Sequence, residues 1–277
     1  MNRWTRSLIM VLAVAVIAEI TFGQDWRRGR GISRDRNGVP TWDTHPTMPK
    51  DVFTFVRLEF DSSGRGQWGR GGGWRVDWPE ADLNFSYRLE EMTALKTNPD
   101  PIYLRLTDPA IFDYPFVYMI EPGSLYLSPE EIEAFRQYLS SGGFLMVDDF
   151  WGEEEWENFY YYFSQVFPGR ELVELDVEHP IFNTPFPIKR KPQIPNVRTG
   201  TEHVLFGTPT WEQEDAKVPH YRALFDDNGR MMAIICHNTD LGDGWEEEAT
   251  SPEYFKEFSE KSAYPLGINI IFHAMTQ

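Results

Sequence analysis

Ser128-Pro129-Glu130-Glu131 is followed by apolar residues at Ile132, Phe135 and Leu139, then by Gly142-Gly143 and an unbroken apolar run over residues 144–147. No other stretch narrows the fold as much. Serine can cap a helix, proline fits its first turn and Glu131 can close a capping box, while paired glycines admit the left-handed backbone that ends the helix. An apolar run without alternation suits a strand covered on both faces, the situation of a central strand in a parallel sheet. Related patterns occur on either side. Residues 52–60, 102–106 and 116–120 are predicted strands; Pro79 opens a helix with Phe85, Leu89 and Met92 on one face; and Trp156, Tyr160, Phe163 and Phe167 stripe another behind Glu153-Glu154-Glu155. Strands alternating with helices predict an α/β layered domain with a mostly parallel sheet. Residues 221–225 and 231–236, joined through Asp226-Asp227-Asn228-Gly229, add a late antiparallel hairpin. The proline-rich stretch 169–219 predicts loops and short pieces, and residues 251–275 predict two helices broken near Pro265.

Composition removes several functional classes. With 26 Lys+Arg against 43 Asp+Glu, the net charge of −17 disfavours nucleic acid, which would need a segregated basic patch. One cysteine excludes an internal disulfide framework and a cysteine-based zinc cage. At the amino terminus, Arg3 and Arg6 precede an apolar run over 8–18 and then Thr21-Phe22-Gly23, a pattern that predicts a signal peptide over residues 1–23 and export to a periplasm or beyond. The run is shorter than a membrane span and Glu19 interrupts it; an uncleaved N-terminal anchor is the alternative and the sole route to a membrane. Residues 24–50 carry Arg27, Arg28, Arg30, Arg34 and Arg36 among prolines, and predict a basic irregular arm that is a solvated linker, folds back on the acidic body or meets an anionic surface. Residues 51–277 form a single α/β domain on this reading.

Gly64-Arg65-Gly66-Gln67-Trp68-Gly69 matches a dinucleotide-binding spacing, but further glycines and Trp74 intervene before Pro79, so the direct passage into a helix is missing and no dinucleotide is expected. The same loop interleaves Arg65, Arg70 and Arg75 with Trp68, Trp74 and Trp78, a mixture suited to planar or anionic ligands. Asp148 and Asp149 stand at the carboxyl end of the apolar strand, where open parallel sheets bind ligands. Adjacent carboxylates repel, which raises a pKa or calls for a cation; alternatively one caps the next helix and the other pairs with an arginine such as Arg57. His237-Asn238-Thr239-Asp240-Leu241-Gly242-Asp243-Gly244 is rich in oxygen and imidazole groups yet fails the calcium-loop consensus, and a turn held by Asx hydrogen bonds is the favoured reading. Cys236 reads as a buried packing residue, and Asn269 and His273 as structural. No G-x-S-x-G, H-E-x-x-H or P-loop occurs.

Six segments in order carry a family resemblance: Phe55-Val56-Arg57-Leu58, the stretch from Trp74-Arg75-Val76-Asp77-Trp78-Pro79 to Phe85, Asp113-Tyr114-Pro115-Phe116, the run from Gly142 to Asp148-Asp149, His179-Pro180-Ile181-Phe182, and the turn from Asn238 to Trp245. Through them the chain resembles the bacterial family called domain of unknown function 4159 over about residues 51–277. That resemblance implies a fold like that of class I glutamine amidotransferases, a flavodoxin-like three-layer sandwich. In that fold a helix, a glycine turn and an apolar strand lead to a cysteine nucleophile at a sharp elbow. Here Asp148-Asp149 stands in that place and Cys236 lies on another strand, so glutaminase chemistry is not expected.

The leading expectation is an exported binding module for a small molecule, glycan or peptide at the carboxyl edge of the sheet, formed by Arg57, Trp74, Asp77, Trp78, Asp148, Asp149, Asp240 and Trp245. One alternative is a carboxylate- or metal-assisted hydrolase with a divalent cation held by Asp148, Asp149, His237 and Asp240. Another is a structural partner in an envelope complex that uses the arginine-rich arm.

Overall fold

The computed structural model describes residues 36–44, 52–63 and 73–277. The expected signal segment, most of the basic arm and the centre of the glycine-rich loop, with Arg65, Trp68 and Arg70, lie outside the described residues. The chain runs through β1 (Val56–Glu59), β2 (Asp61–Ser62), α1 (Glu80–Met92), β3 (Ile102–Arg105), β4 (Phe116–Ile120), β5 (Leu125–Tyr126), α2 (Pro129–Ser140), β6 (Phe144–Asp148) and α3 (Gly152–Phe163). It continues through β7 (Val173–Glu174), α4 (Val197–Phe206), β8 (His220–Phe225), β9 (Met231–His237), α5 (Leu241–Glu246), α6 (Pro252–Tyr254), a π-helical stretch (Phe255–Ala263) and α7 (Tyr264–Thr276).

Seven strands form one sheet in the order β3-β1-β4-β6-β9-β8-β7. The first five are parallel, whereas β8 and β7 add an antiparallel edge. Counted among themselves, the five parallel strands follow the order 2-1-3-4-5 of flavodoxin-like sheets, which reverses between β1 and β4. The strand period of two sends Phe116, Tyr118, Ile120, Phe144, Met146, Ile234 and Cys236 to one face. There α1, α5 and α7 bury Phe85, Leu89, Trp245 and Ile268 against them. Val117, Met119, Leu145, Val147, Ala233 and Ile235 fill the other face, under Phe135 and Leu139 of α2 and Phe159 and Phe163 of α3. The sheet is therefore covered on both sides, as the unbroken apolar strands require. Cys236 is fully buried in this core.

Several elements depart from the sequence expectation. The strand expected over 52–60 is shorter, because Phe53 makes only an isolated bridge to Thr97 and Asp61–Ser62 pair separately with β5. Between Gly169 and Pro219, where loops were expected, α4 forms: the Asn196 side chain accepts from Thr199 N at 2.9 Å, and Gly207, at φ 72°, closes the other end. The break expected near Pro265 does not occur. The π-helical stretch, with Tyr264 N–H donating to the Ser259 carbonyl five residues back, carries the helical path past a residue that has no N–H. The end of the basic arm folds onto the body: Arg36 pairs with Asp100 and donates to the Pro99 carbonyl at 2.7 Å, and Trp42 donates to the Thr97 carbonyl at 2.9 Å. Among the described residues no helix is long and apolar enough to cross a membrane.

Candidate functional site

The carboxyl ends of the parallel strands converge on one edge, and the backbone there is unusual. Glu121 after β4, Asp149 after β6 and Asn238 after β9 all adopt left-handed backbone, with φ of 47°, 53° and 61°. Asp77, in the loop folded over β1, does the same at 59°. A non-glycine residue in this region costs on the order of 1 kcal/mol, and such strain gathers at functional sites.

Arg57 sets the position of Asp77. Fully buried in β1, its guanidinium makes an ion pair with Asp82 of α1 and donates to the carbonyls of Trp74, at 3.1 Å, and Val76. It thereby clamps the loop that ends in Asp77, and its charge is neutralised by Asp82 rather than by Asp148 or Asp149. Trp78 lies 5.7 Å beneath the guanidinium carbon and edge-on to Tyr103. Trp74 packs against Tyr103, and Trp245 is buried between Phe85, Phe55 and Tyr118. Trp74 and Trp245 thus support the site from within the core instead of presenting open rings to a ligand.

Asp148 is also a supporting residue. Its Oδ2 accepts from the Tyr118 hydroxyl at 3.0 Å and from the N–H groups of Leu241 and Gly242 at 2.9 and 3.1 Å, which holds the start of α5 against β6. Its Oδ1 is enclosed without a partner, and burial pushes its pKa up to about 7. A Cβ at Gly242 would crowd this contact, standing 3.0 Å from both Asp77 Oδ2 and the Tyr118 hydroxyl.

Carboxylates crowd the space above. Asp77, Asp149 and Asp240 each offer an oxygen within 4.8 Å of the others, and Asp77, Asp243 and Glu246 do likewise. Asp240 caps α5 through Asp243 N at 2.8 Å, and the Trp151 indole donates to Asp149 Oδ1 at 3.1 Å. The enclosed Asp77 Oδ2 has no hydrogen-bond partner. Burial first, and mutual repulsion after it, push Asp243 to about 8 and Glu246 to about 9, and hold Asp149 and Asp240 well above the usual carboxylate range. Burial raises Asp77 to about 6 against the partial offset of Arg57. Glu121 reaches about 8 through burial and the neighbouring Asp77.

The structure thus groups Asp149 and Asp240 with Asp77 and sets Asp148 beneath them. His237, named with the first two as a metal ligand, joins neither group: Nε2 lies 3.0 Å from the Gly152 carbonyl and Nδ1 3.3 Å from Arg222, and burial lowers its pKa to about 4. Glu121, beside these groups, and Glu246 escaped sequence reasoning, whereas Asp243 fell within the oxygen-rich segment 237–244. Glu121 follows the apolar run of β4 as Asp148-Asp149 follows that of β6, so the same rule would have found it. Asp243 and Glu246 are one helical turn apart on α5, a spacing hidden while residues 237–244 were read as a turn.

An α/β protein with a flavodoxin-like strand order and an acidic constellation at the carboxyl edge is the class these features define. The chain belongs to the family described as domain of unknown function DUF4159, whose model matches residues 54–275. No curated protein matches it in sequence.

Proposed function

We propose that this protein is an exported, cation-dependent ligand-binding module in which Asp77, Asp149 and Asp240 hold a divalent cation at the carboxyl edge of the sheet. The observation that carries this reading is the convergence of three carboxylates from three distant segments within 4.8 Å, beside an Asp77 oxygen that nothing donates to. Arg57, whose charge acts on Asp77, is already matched by Asp82. Like charges packed this closely either keep protons or take up a cation. All-oxygen donors favour calcium, magnesium or manganese over zinc. Export is supported by Arg3, Arg6 and the apolar run over 8–18.

The test is calorimetric titration of the full chain with each of these ions. One of them should bind and raise the melting temperature, and Asp149→Asn or Asp240→Asn should weaken it by about tenfold or more. Absence of both heat and thermal shift at millimolar ion would overturn the reading. A metal-assisted hydrolase is the second reading, favoured by the left-handed turn at Asp149, the place of the nucleophile elbow in amidotransferase-like folds. It requires cation-dependent turnover of chromogenic esters, phosphoesters or glycosides.

A further inference from the structure

A cleft of about 1080 Å³ opens beside the carboxylate groups, between the Pro122–Ser124 turn, α3 and the loop at Glu212-Gln213. Among the described residues its lining holds six acidic residues, three aromatic residues and no lysine, arginine or histidine. Two of the acids are held by hydrogen bonds. Glu155 accepts from Trp151 N at 2.7 Å, and its side chain packs so closely on Gly123 that a Cβ there would fall 2.6 Å from Glu155 Cγ. Glu212 accepts from Asn196 N and Nδ2, both at 2.7 Å. Glu121 projects from its left-handed turn after β4, and Asn158 ties α3 to the Leu125 carbonyl across the cleft at 3.0 Å. Aromatic walls come from Trp151, Tyr161 and Tyr162.

We infer that this cleft binds an alkylammonium ligand, a flexible chain bearing two or more ammonium groups. Preset carboxylates in the lining can accept charge-assisted hydrogen bonds from ammonium donors, and the rings of the same lining offer cation–π faces and cover methylene segments. The volume is at the upper end of small-molecule pockets and suits an elongated guest. Six carboxyl groups in one lining disfavour phosphate and carboxylate ligands. Free polyamines and the lysine side chains of a peptide share this chemistry. Asp149 is shared between the cleft and the first carboxylate triad, but Glu121, Glu155 and Glu212 belong to neither triad, so the inference can fail separately from the cation reading.

The experiment uses the full chain with EDTA present and titrates spermine, a tetralysine amide and its fully Nε-acetylated form, read by calorimetry and tryptophan fluorescence. Spermine or tetralysine should bind with an affinity that falls as salt rises, and the tighter of the two names the source. The acetylated peptide should not bind. Glu121→Gln combined with Glu212→Gln should weaken binding by about tenfold or more. Tyr161→Ala, at a residue 65% exposed and so removable without loss of the fold, should weaken it several-fold. No binding at millimolar ligand, equal binding of the acetylated peptide, or unchanged affinity in variants with a native circular dichroism spectrum would each overturn the inference. Asp240→Asn with divalent-ion titration, run in parallel without EDTA, reports on the cation site, since Asp240 does not line the cleft.

Discussion

Asp148 and Asp149 are neighbours in the chain with different tasks. The first turns into the fold and satisfies a tyrosine hydroxyl and two backbone N–H groups; the second leaves the strand through left-handed backbone toward the other acids. The backbone separates them, because Asp148 is the last residue of β6 whereas Asp149 turns away at φ 53°. Asp148→Ala should therefore destabilise the fold by about 3 kcal/mol, since three buried donors lose their acceptor. Asp149→Ala should leave chemical denaturation within about 1 kcal/mol of the parent and abolish divalent-ion binding. Urea unfolding and calorimetry on the two variants separate these roles. Sequence alone could mark the pair as a carboxyl-edge feature but could not divide the labour, which depends on Tyr118 and Gly242 arriving from β4 and α5.

At the scale of elements, legibility followed how local each signal is. The Ser128 cap, the glycine stop and the Asn228-Gly229 hairpin turn need only adjacent residues, and all formed as expected. Helix α4 was missed because prolines and Gly200 obscure it. Gly200 has a tertiary cause: a Cβ there would meet the Tyr254 ring at 2.5 Å. Asn196 before the helix and Gly207 after it were the available signals. Asn196→Ala should cost about 1 kcal/mol through loss of the cap, lowering the melting temperature by roughly 2–4 °C in a thermal scan. The carboxylate groups lay further from view, since their members come from loops after different strands and only the sheet order brings those loops together.

For the whole molecule, the net charge of −17 matters less than where it is concentrated. Asp77 titrates near 6, Asp148 near 7, Glu121 and Asp243 near 8 and Glu246 near 9, whereas unfolded carboxyls titrate near 4. Between these limits the native state binds more protons than the unfolded state, so stability declines as pH rises. Below about pH 6.5 the depressed His237 acts in the opposite direction, but as one group against several. Without divalent ions the melting temperature should be several degrees higher at pH 5 than at pH 9, and saturating cation should remove most of the difference. A rise from pH 5 to pH 9 in ion-free buffer would contradict the protonated cluster.

The left-handed turns after β4 and β6 carry a consequence for selection. At Glu121 and Asp149 glycine would relieve both backbone strain and charge repulsion, so the best-folded sequences for this scaffold are ones that have lost the acidic edge. A library screened only for thermal stability would drift toward such sequences.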